Sequence, residues 1–353
     1  MATKKNFQVT QTLQQQLDGE RRLVSFDSYD LSVRQLLDMF ESGEIDVPPE
    51  YQRQFIWDES RESQLIESVL LGIPVPSLFM ATNSDSTWEI VDGVQRLGTL
   101  AHFLGGATLL KKINRSSALK IEGLDKLSAL NDTYYTDLPK SLQLMFSTRP
   151  MRVTVLNDKS DQNVRFDLFE RLNTGGISLT NQEIRNCVYR GPFNEDIKRL
   201  SLDKNFMAVI NLKSGDSKNG TAEEHALRFF AFYDQYKQFD HSVKDFLNNY
   251  MQHHALKKIS PNLEKIFRLT FALLKKNLPK GVVRGNRGAT PVNLFEGIAV
   301  GTALALKSGK PILEANLPEL LDDQDLRVFT TGATNTKKAV VGRIEYVRDF
   351  LVN

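Results

Sequence analysis

The amino-acid sequence predicts an α+β protein, a mixed N-terminal domain followed by a mostly α-helical C-terminal domain. Three observations carry that prediction. "SLFMA" and "WEIV" (residues 77–81 and 88–91) flank a polar turn and read as an antiparallel pair, while "MRVTVLN" (151–157) alternates its β-branched residues as a strand does. Between these strands lie segments whose apolar residues recur every three or four positions, the helical period. From about residue 191 that period dominates, through "TAEEHALRFFAFYDQY", "VKDFLNNYMQHH", "LEKIFRLTFALLKKN" and "NLFEGIAVGTALALKSG". Strands and helices together, then helices alone, indicate a segregated architecture.

With 353 residues the chain is long enough for two or three domains. Residues 1–23 are polar and glutamine-rich and read as an arm, 24–190 as the mixed domain and 191–353 as the helical one. The first helix starts from Ser32 as N-cap, with Gln35 three residues on. It turns Val33, Leu36, Leu37 and Phe40 to one side and closes at Gly43. Pro48 and Pro49 then forbid regular helix and impose an extended approach. A second helix begins near Asp58 and carries Leu65, Ile66, Val69 and Leu70 on its inner face as far as Gly72 and Pro74. After Asp92-Gly93, a third presents Val94, Leu97, Leu100, Ala101 and Leu104.

"GATLL" (106–110) and "ALKIEGL" (118–124) are expected as short strands, and "LPKSLQLMFSTRP" as a helix stopped by Pro150. Residues 160–191 read as helix, glycine loop, helix. Two capping boxes are expected, Thr180 with Glu183 and Thr221 with Glu224.

Composition narrows the classes of function. Hydrophobic residues make up 41% and charged residues 25%, as in ordinary soluble proteins. Net charge is +2 and the sequence pI about 8.4, so any basic surface is local. A single cysteine, Cys187, excludes an intrachain disulfide or a cysteine-built metal site, and its surroundings read as a buried helix position. The start lacks the apolar core of a signal peptide, and no apolar run approaches the ~20 residues needed to span a bilayer. A cytoplasmic location without membrane attachment is expected.

Three polar segments carry the chemistry. At Asp92-Gly93-Val94-Gln95-Arg96 a strand ends and a helix begins. A helix start leaves backbone N–H groups unpaired and carries partial positive charge, so it can seat an anion. Gly93 permits close approach, and Arg96, one turn in, has a planar fork suited to phosphate. Asp92 could hold Mg²⁺, orient Arg96 or cap the helix. The plain alternative is an N-cap beside a surface charge.

The second segment, "PPEYQRQFIW" (48–57), places Gln52 and Arg53 before Phe55 and Trp57, with the aromatics as core anchors and Arg53 free to stack on a base or hold a second phosphate. The third, "RLNTGGISLTNQE" (171–183), offers Asn173, Thr174 and two glycines as a lid over a nucleotide or as a plain connector. A basic stretch, 275–291, carries Lys275, Lys276, Lys280, Arg284 and Arg287 without an acid. It is expected as a flexible loop that either follows a nucleic-acid backbone or is simply solvated.

Taken in order, "VPPEYQRQFIWD", "QLIESVLLGIPVPSLFM", "WEIVDGVQRLGTLAHFL" and "FERLNTGGISLTNQEIRN" resemble the N-terminal domain of GmrSD-type modification-dependent restriction endonucleases over roughly residues 40–190. The resemblance implies a ParB/sulfiredoxin-like core that binds, and in some members hydrolyses, a nucleoside triphosphate (GTP, ATP or CTP) with Mg²⁺, in bacterial defence directed at DNA. Carried onto this sequence, it implies Asp92, Gln95 and Arg96 as the catalytic group and Asp92 as the metal ligand. Gln52, Arg53, Gly93, Asn173 and Thr174 would join those three in holding the nucleotide. The family pattern Asp-Gly-Gln-Gln-Arg has Val94 at its third position here. Its spacing with Leu97 and Ala101 turns it to the core and favours binding over hydrolysis.

Related full-length enzymes carry an HNH-type nuclease domain. The five histidines of this chain include His253-His254 in a helical stretch with no hairpin around it, read as solvated. Cleavage is therefore expected from a partner nuclease or effector protein, and the resemblance leaves room for a homo-oligomer. Two other readings remain: a stand-alone metal-dependent nuclease using the same cleft, and a non-catalytic module that binds DNA or a partner.

Overall fold

The computed structural model describes residues 12–18, 25–48, 55, 57–83, 85–157, 162–172, 179–214, 216, 219–285 and 288–352. Gln52, Arg53, Asn173, Thr174 and Arg287 lie outside the described residues. The chain is α+β and divides into two compact units, Met1–Ser178 and Leu179–Asn353.

The first unit is built on a five-stranded sheet, ordered β1-β5-β3-β4-β2. β1 (Phe26–Ser32) leads into α1 (Val33–Ser42), whose N-cap is Ser32, with its hydroxyl accepting from the Gln35 amide. Val33, Leu36, Leu37 and Phe40 are buried as the spacing requires, and Gly43 ends the helix. β2 (Ile45–Asp46) is short. α2 (Glu59–Leu71) is capped by Asp58, whose carboxylate accepts from the Arg61 amide, and it buries Ile66, Val69 and Leu70 together with the polar Glu62 and Ser63. β3 (Leu78–Thr82) and β4 (Trp88–Asp92) form the expected hairpin, with a register shift at Phe79/Met80.

α3 (Val94–Leu104) follows directly. α5 (Lys140–Ser147) then turns into β5 (Pro150–Leu156), which lies parallel to β3 and antiparallel to β1, from Phe26↔Leu156 to Ser32↔Pro150. α6 (Gln162–Leu172) closes the unit, and its Arg165 donates to the Thr82 carbonyl at 3.0 Å and the Asn83 side chain at 3.0 Å.

Two expected strands are not strands. "GATLL" forms most of α4 (Ala107–Lys112), which buries Leu109. "ALKIEGL" runs extended, but its backbone is satisfied outside the sheet: Leu119 donates to the His102 carbonyl at α3, Ile121 to Thr133, and Asp132 to Ile121. A short apolar run specifies burial, and the available hydrogen-bond partners choose its form.

The second unit is helical. α7 (Asn181–Val188) has the expected capping box, Thr180 with Glu183. α8 (Pro192–Ser201), α9 (Lys204–Val209), α10 (Thr221–Gln235), α11 (Val243–His254) and α12 (Pro261–Asn277) follow. α13 (Val292–Lys307) is buried along most of its length, with Glu296 and Thr302 among its buried residues. α14 (Leu317–Leu320), α15 (Gln324–Thr330) and α16 (Lys337–Val352) end the chain. Phe206, Phe229, Phe267, Phe271 and Phe295 interlock at the centre. Gly297 and Gly301 let α16 approach α13 closely; a Cβ on Gly301 would stand 2.6 Å from Val347. Among the described residues no helix is long and apolar enough to cross a membrane.

The second expected capping box is absent. α10 starts at Gly220, with no side-chain cap, and the Thr221 hydroxyl donates to Asn219. Glu224 is instead drawn into a buried ladder of charges. It accepts from Arg185 (2.5 Å) and Arg228 (2.8 Å), Arg228 also donates to Glu296 (2.6 Å), and Glu296 accepts from Arg343. A carboxylate between two guanidinium groups gains more than a cap supplies. Burial pulls the Arg185 guanidinium down to about 10, against the raising effect of Glu224.

His225 sits beside this ladder, its Nδ1–H donating to the Thr221 carbonyl and its ring meeting Phe295 edge-on. Burial holds this imidazole below its ordinary value. The unfolded chain therefore takes up a proton near pH 6.5, before the folded chain does, and stability falls as the pH drops through that value. The urea midpoint is expected to decline between about pH 7 and about pH 5 by less in His225→Phe than in the parent; an equal decline would exclude His225 as the cause.

Candidate functional site

The junction between β4 and α3 takes its form from Gly93. Its φ of 97° lies in the left-handed region, and a Cβ would overlap the Leu78 side chain, so the turn is open to glycine alone. No side chain caps α3. Val94 is buried on the core face, as its spacing predicts.

Asp92 and Arg96 face one another across the first turn of the helix. Arg96 Nη2 donates to Asp92 Oδ2 at 2.6 Å, and Nη1 donates to the carbonyls of Pro76 (2.6 Å) and Ser77 (3.0 Å). The fork thus ties the Gly72–Ser77 turn to the helix start, and the Arg96 side chain is only 12% exposed. Of the roles the sequence offered Asp92, the structure shows the orienting of Arg96. Asp92, already bridged to Arg96, does not by itself make a metal seat, and among the described residues no group of three or more His, Cys, Asp or Glu is arranged to hold a metal ion.

Gln95 points to the segment before α2. Its Oε1 accepts from the Trp57 amide at 3.3 Å, while the Trp57 carbonyl accepts from Arg115 at 3.3 Å. One turn further along α3, Gly98 provides a notch that the Phe55 ring fills; a Cβ there would collide with it. Phe55 and Trp57 themselves are therefore anchored on α3.

Sequence reasoning passed over four buried residues of this unit. Glu89, fully buried on β4, is an acid beside the apolar pair Ile90-Val91, which was the available signal. Gly98 is a glycine inside a helix, a common mark of close packing. Glu62 and His102 show no pattern in the sequence; the fold alone joins them, Nδ1 to Oε2 at 2.8 Å.

The basic stretch is more ordered than expected. α12 extends through Lys275 and Lys276 to Asn277. Lys276 pairs with Glu314 at 2.8 Å and Lys275 contacts Asn205. Arg284 is buried and donates to the Leu321 carbonyl and to the Thr330 hydroxyl, which takes it out of any nucleic-acid surface. Lys280 remains exposed. One acid, Glu314, is thus supplied to the segment from elsewhere in the chain. His253 is exposed, but His254 is half-buried and stacks on Tyr250 at 4.1 Å, so only the first is solvated as expected.

Residues 33–190, which contain the junction, both of its anchors and every strand of the sheet but β1, match the family model described as "GmrSD restriction endonuclease, N-terminal domain". No curated protein matches the chain.

Proposed function

Residues 33–190 are a GmrSD-type N-terminal domain, and from that premise we propose that the protein is a nucleotide-dependent, DNA-sensing component of a restriction or anti-phage system. In this reading the domain has a ParB/sulfiredoxin-like fold. A nucleoside triphosphate seats its phosphates at the start of α3, held also by Gln52 and Arg53, with Asn173 and Thr174 closing over it. The single observation that supports it is the glycine-led, uncapped helix start, braced on one side by Arg96 and on the other by Gln95. Mg²⁺ would arrive with the triphosphate and be held through phosphate oxygens, since Asp92 is engaged by Arg96.

Cleavage belongs to a partner nuclease in this proposal. Each histidine of the chain has its own local setting: His102 meets Glu62, His225 meets Thr221, His241 meets Asp240, and His253 and His254 each meet the carbonyl four residues back. A second reading, nucleotide or DNA binding without hydrolysis, is favoured by the Asp92–Arg96 bridge and by Val94 in the core, which leave Gln95 as the only polar side chain of the triplet after Gly93 not tied to Asp92.

Thermal melts with GTP, ATP and CTP, each with Mg²⁺, test the proposal. A bound nucleotide at about a hundredfold excess over its Kd stabilises by about 2.7 kcal/mol, and phosphate release then separates binding from hydrolysis. Arg96→Ala unties the Pro76–Ser77 turn and frees Asp92, so it should abolish the nucleotide shift while the chain still melts cooperatively. A shift that survives unchanged moves the nucleotide away from this junction.

A further inference from the structure

A cleft of about 390 Å³ opens in the first unit between the turn that ends α2 and the first residues of β5. Its volume falls within the range of small-molecule sites, about 300–1,000 Å³. Val69 and Met151, both buried, join Ile73 and Val75 as its apolar lining, and Ile73 is left 44% exposed. The charged groups of the lining are Asp30 from β1, Arg152 from β5 and Arg149 just before β5. Two guanidinium groups against one carboxylate leave an excess of one positive charge.

Neither arginine is saturated. Arg149 Nη2 donates to the Leu70 carbonyl at 2.8 Å, where its charge also offsets the negative end of α2. Its Nε is buried and has no acceptor among the described residues. Arg152 donates through Nε and Nη2 to the two Asp30 oxygens, at 3.0 and 2.9 Å. Both partners are more than half exposed, and a pair in that setting is worth little, so a second carboxylate can compete for the fork. Ser77, also in the lining, gives its carbonyl to Arg96, so the cleft and the junction share a wall.

We propose that this cleft binds a small organic acid, one carboxylate on a compact apolar body. The carboxylate takes the Arg152 fork in competition with Asp30, within the field of Arg149, and the body lies on Val69, Ile73, Val75 and Met151. A planar fork matches a carboxylate through two parallel hydrogen bonds. An excess of one positive charge suits a monoanion, whereas a phosphate monoester carries about −1.5 to −2 at pH 7 and would leave negative charge uncompensated. The apolar lining supplies the area that a bare inorganic anion does not use. The site stands on this geometry whether or not the junction takes a nucleotide, so its failure and the failure of the proposed function are separate results.

Methyl NMR of the full chain labelled at methionine tests the site, with the Met151 signal assigned through Met151→Leu. Isocaproate and hydrocinnamate should each shift that signal saturably, and the neutral isocaproamide should not. Asp30→Asn removes the competing carboxylate and should tighten isocaproate about threefold. Arg152→Gln removes the fork and should weaken it about tenfold. Both residues are exposed on the paired strands β1 and β5, so both variants keep the fold. A peptide ending in a free leucine carboxylate separates the sources. Saturation by it and not by its amide supports the site with a protein carboxyl terminus as ligand, and saturation by isocaproate alone supports it with a free acid. No saturable shift with any of these carboxylates, an equal shift with isocaproamide, or an affinity that the two variants leave unchanged or move in the same direction overturns the proposal.

Discussion

Glu296→Gln is expected to lower the stability of the helical unit by about 3–5 kcal/mol, the usual cost of breaking a buried ion pair from one side. Glu296 is fully buried and accepts from two guanidinium groups, Arg228 at 2.6 Å and Arg343, itself fully buried. Glutamine keeps the shape and one acceptor but removes the charge, so the buried Arg343 guanidinium loses its counter-ion and keeps the Thr334 carbonyl. Arg228 keeps Glu224. The loss should appear as a lower urea midpoint with an unchanged slope. Glu296→Leu with Arg343→Met removes both charges together and should recover most of the loss, because replacing a buried pair by apolar residues is often neutral. A single-variant loss under about 1 kcal/mol would mean that water reaches Arg343.

Gly93→Ala is the second large effect, about 2–6 kcal/mol against the first unit. Alanine in the left-handed region costs about 1–3 kcal/mol, and the added methyl must displace the Leu78 side chain, an overpacking worth about 1–3 kcal/mol. Gly43 provides the control: its φ is 89°, yet nothing lies within 4 Å of a Cβ there, so Gly43→Ala carries the backbone term alone. The difference between the two melts isolates the Leu78 contact, and Leu78→Ala should relieve it in combination with Gly93→Ala. Equal losses at both glycines would mean that Leu78 moves aside freely.

Much of this fold is legible from local rules. Ser32, Asp58 and Thr180 cap helices where their spacing requires it, and the inner faces of α1, α2 and α3 follow from the period of their apolar residues. The β3–β4 hairpin and β5 announce themselves by β-branched and aromatic content. β1 does not, because Phe26, Asp27, Ser28, Tyr29 and Asp30 are all exposed and show no alternation. Its strand form comes from the ladder that β5 offers. Glu224 lost its expected cap role for a similar reason: Arg228 lies one turn along the same helix, but Arg185 joins them only after α7 and α10 pack.

The sequence by itself determined the α+β class, the positions of most helices, the motif Asp92-Gly93-Val94-Gln95-Arg96 and its place between a strand and a helix. All of these depend on neighbours within a few residues. The tertiary structure alone decided what the motif's side chains do: Arg96 grips carbonyls about twenty residues upstream, Gln95 holds Trp57, Arg284 turns inward, and Glu62 meets His102. A charged or polar side chain takes the best partner within reach, and in a folded chain that partner is set by packing between distant segments rather than by residues adjacent in sequence.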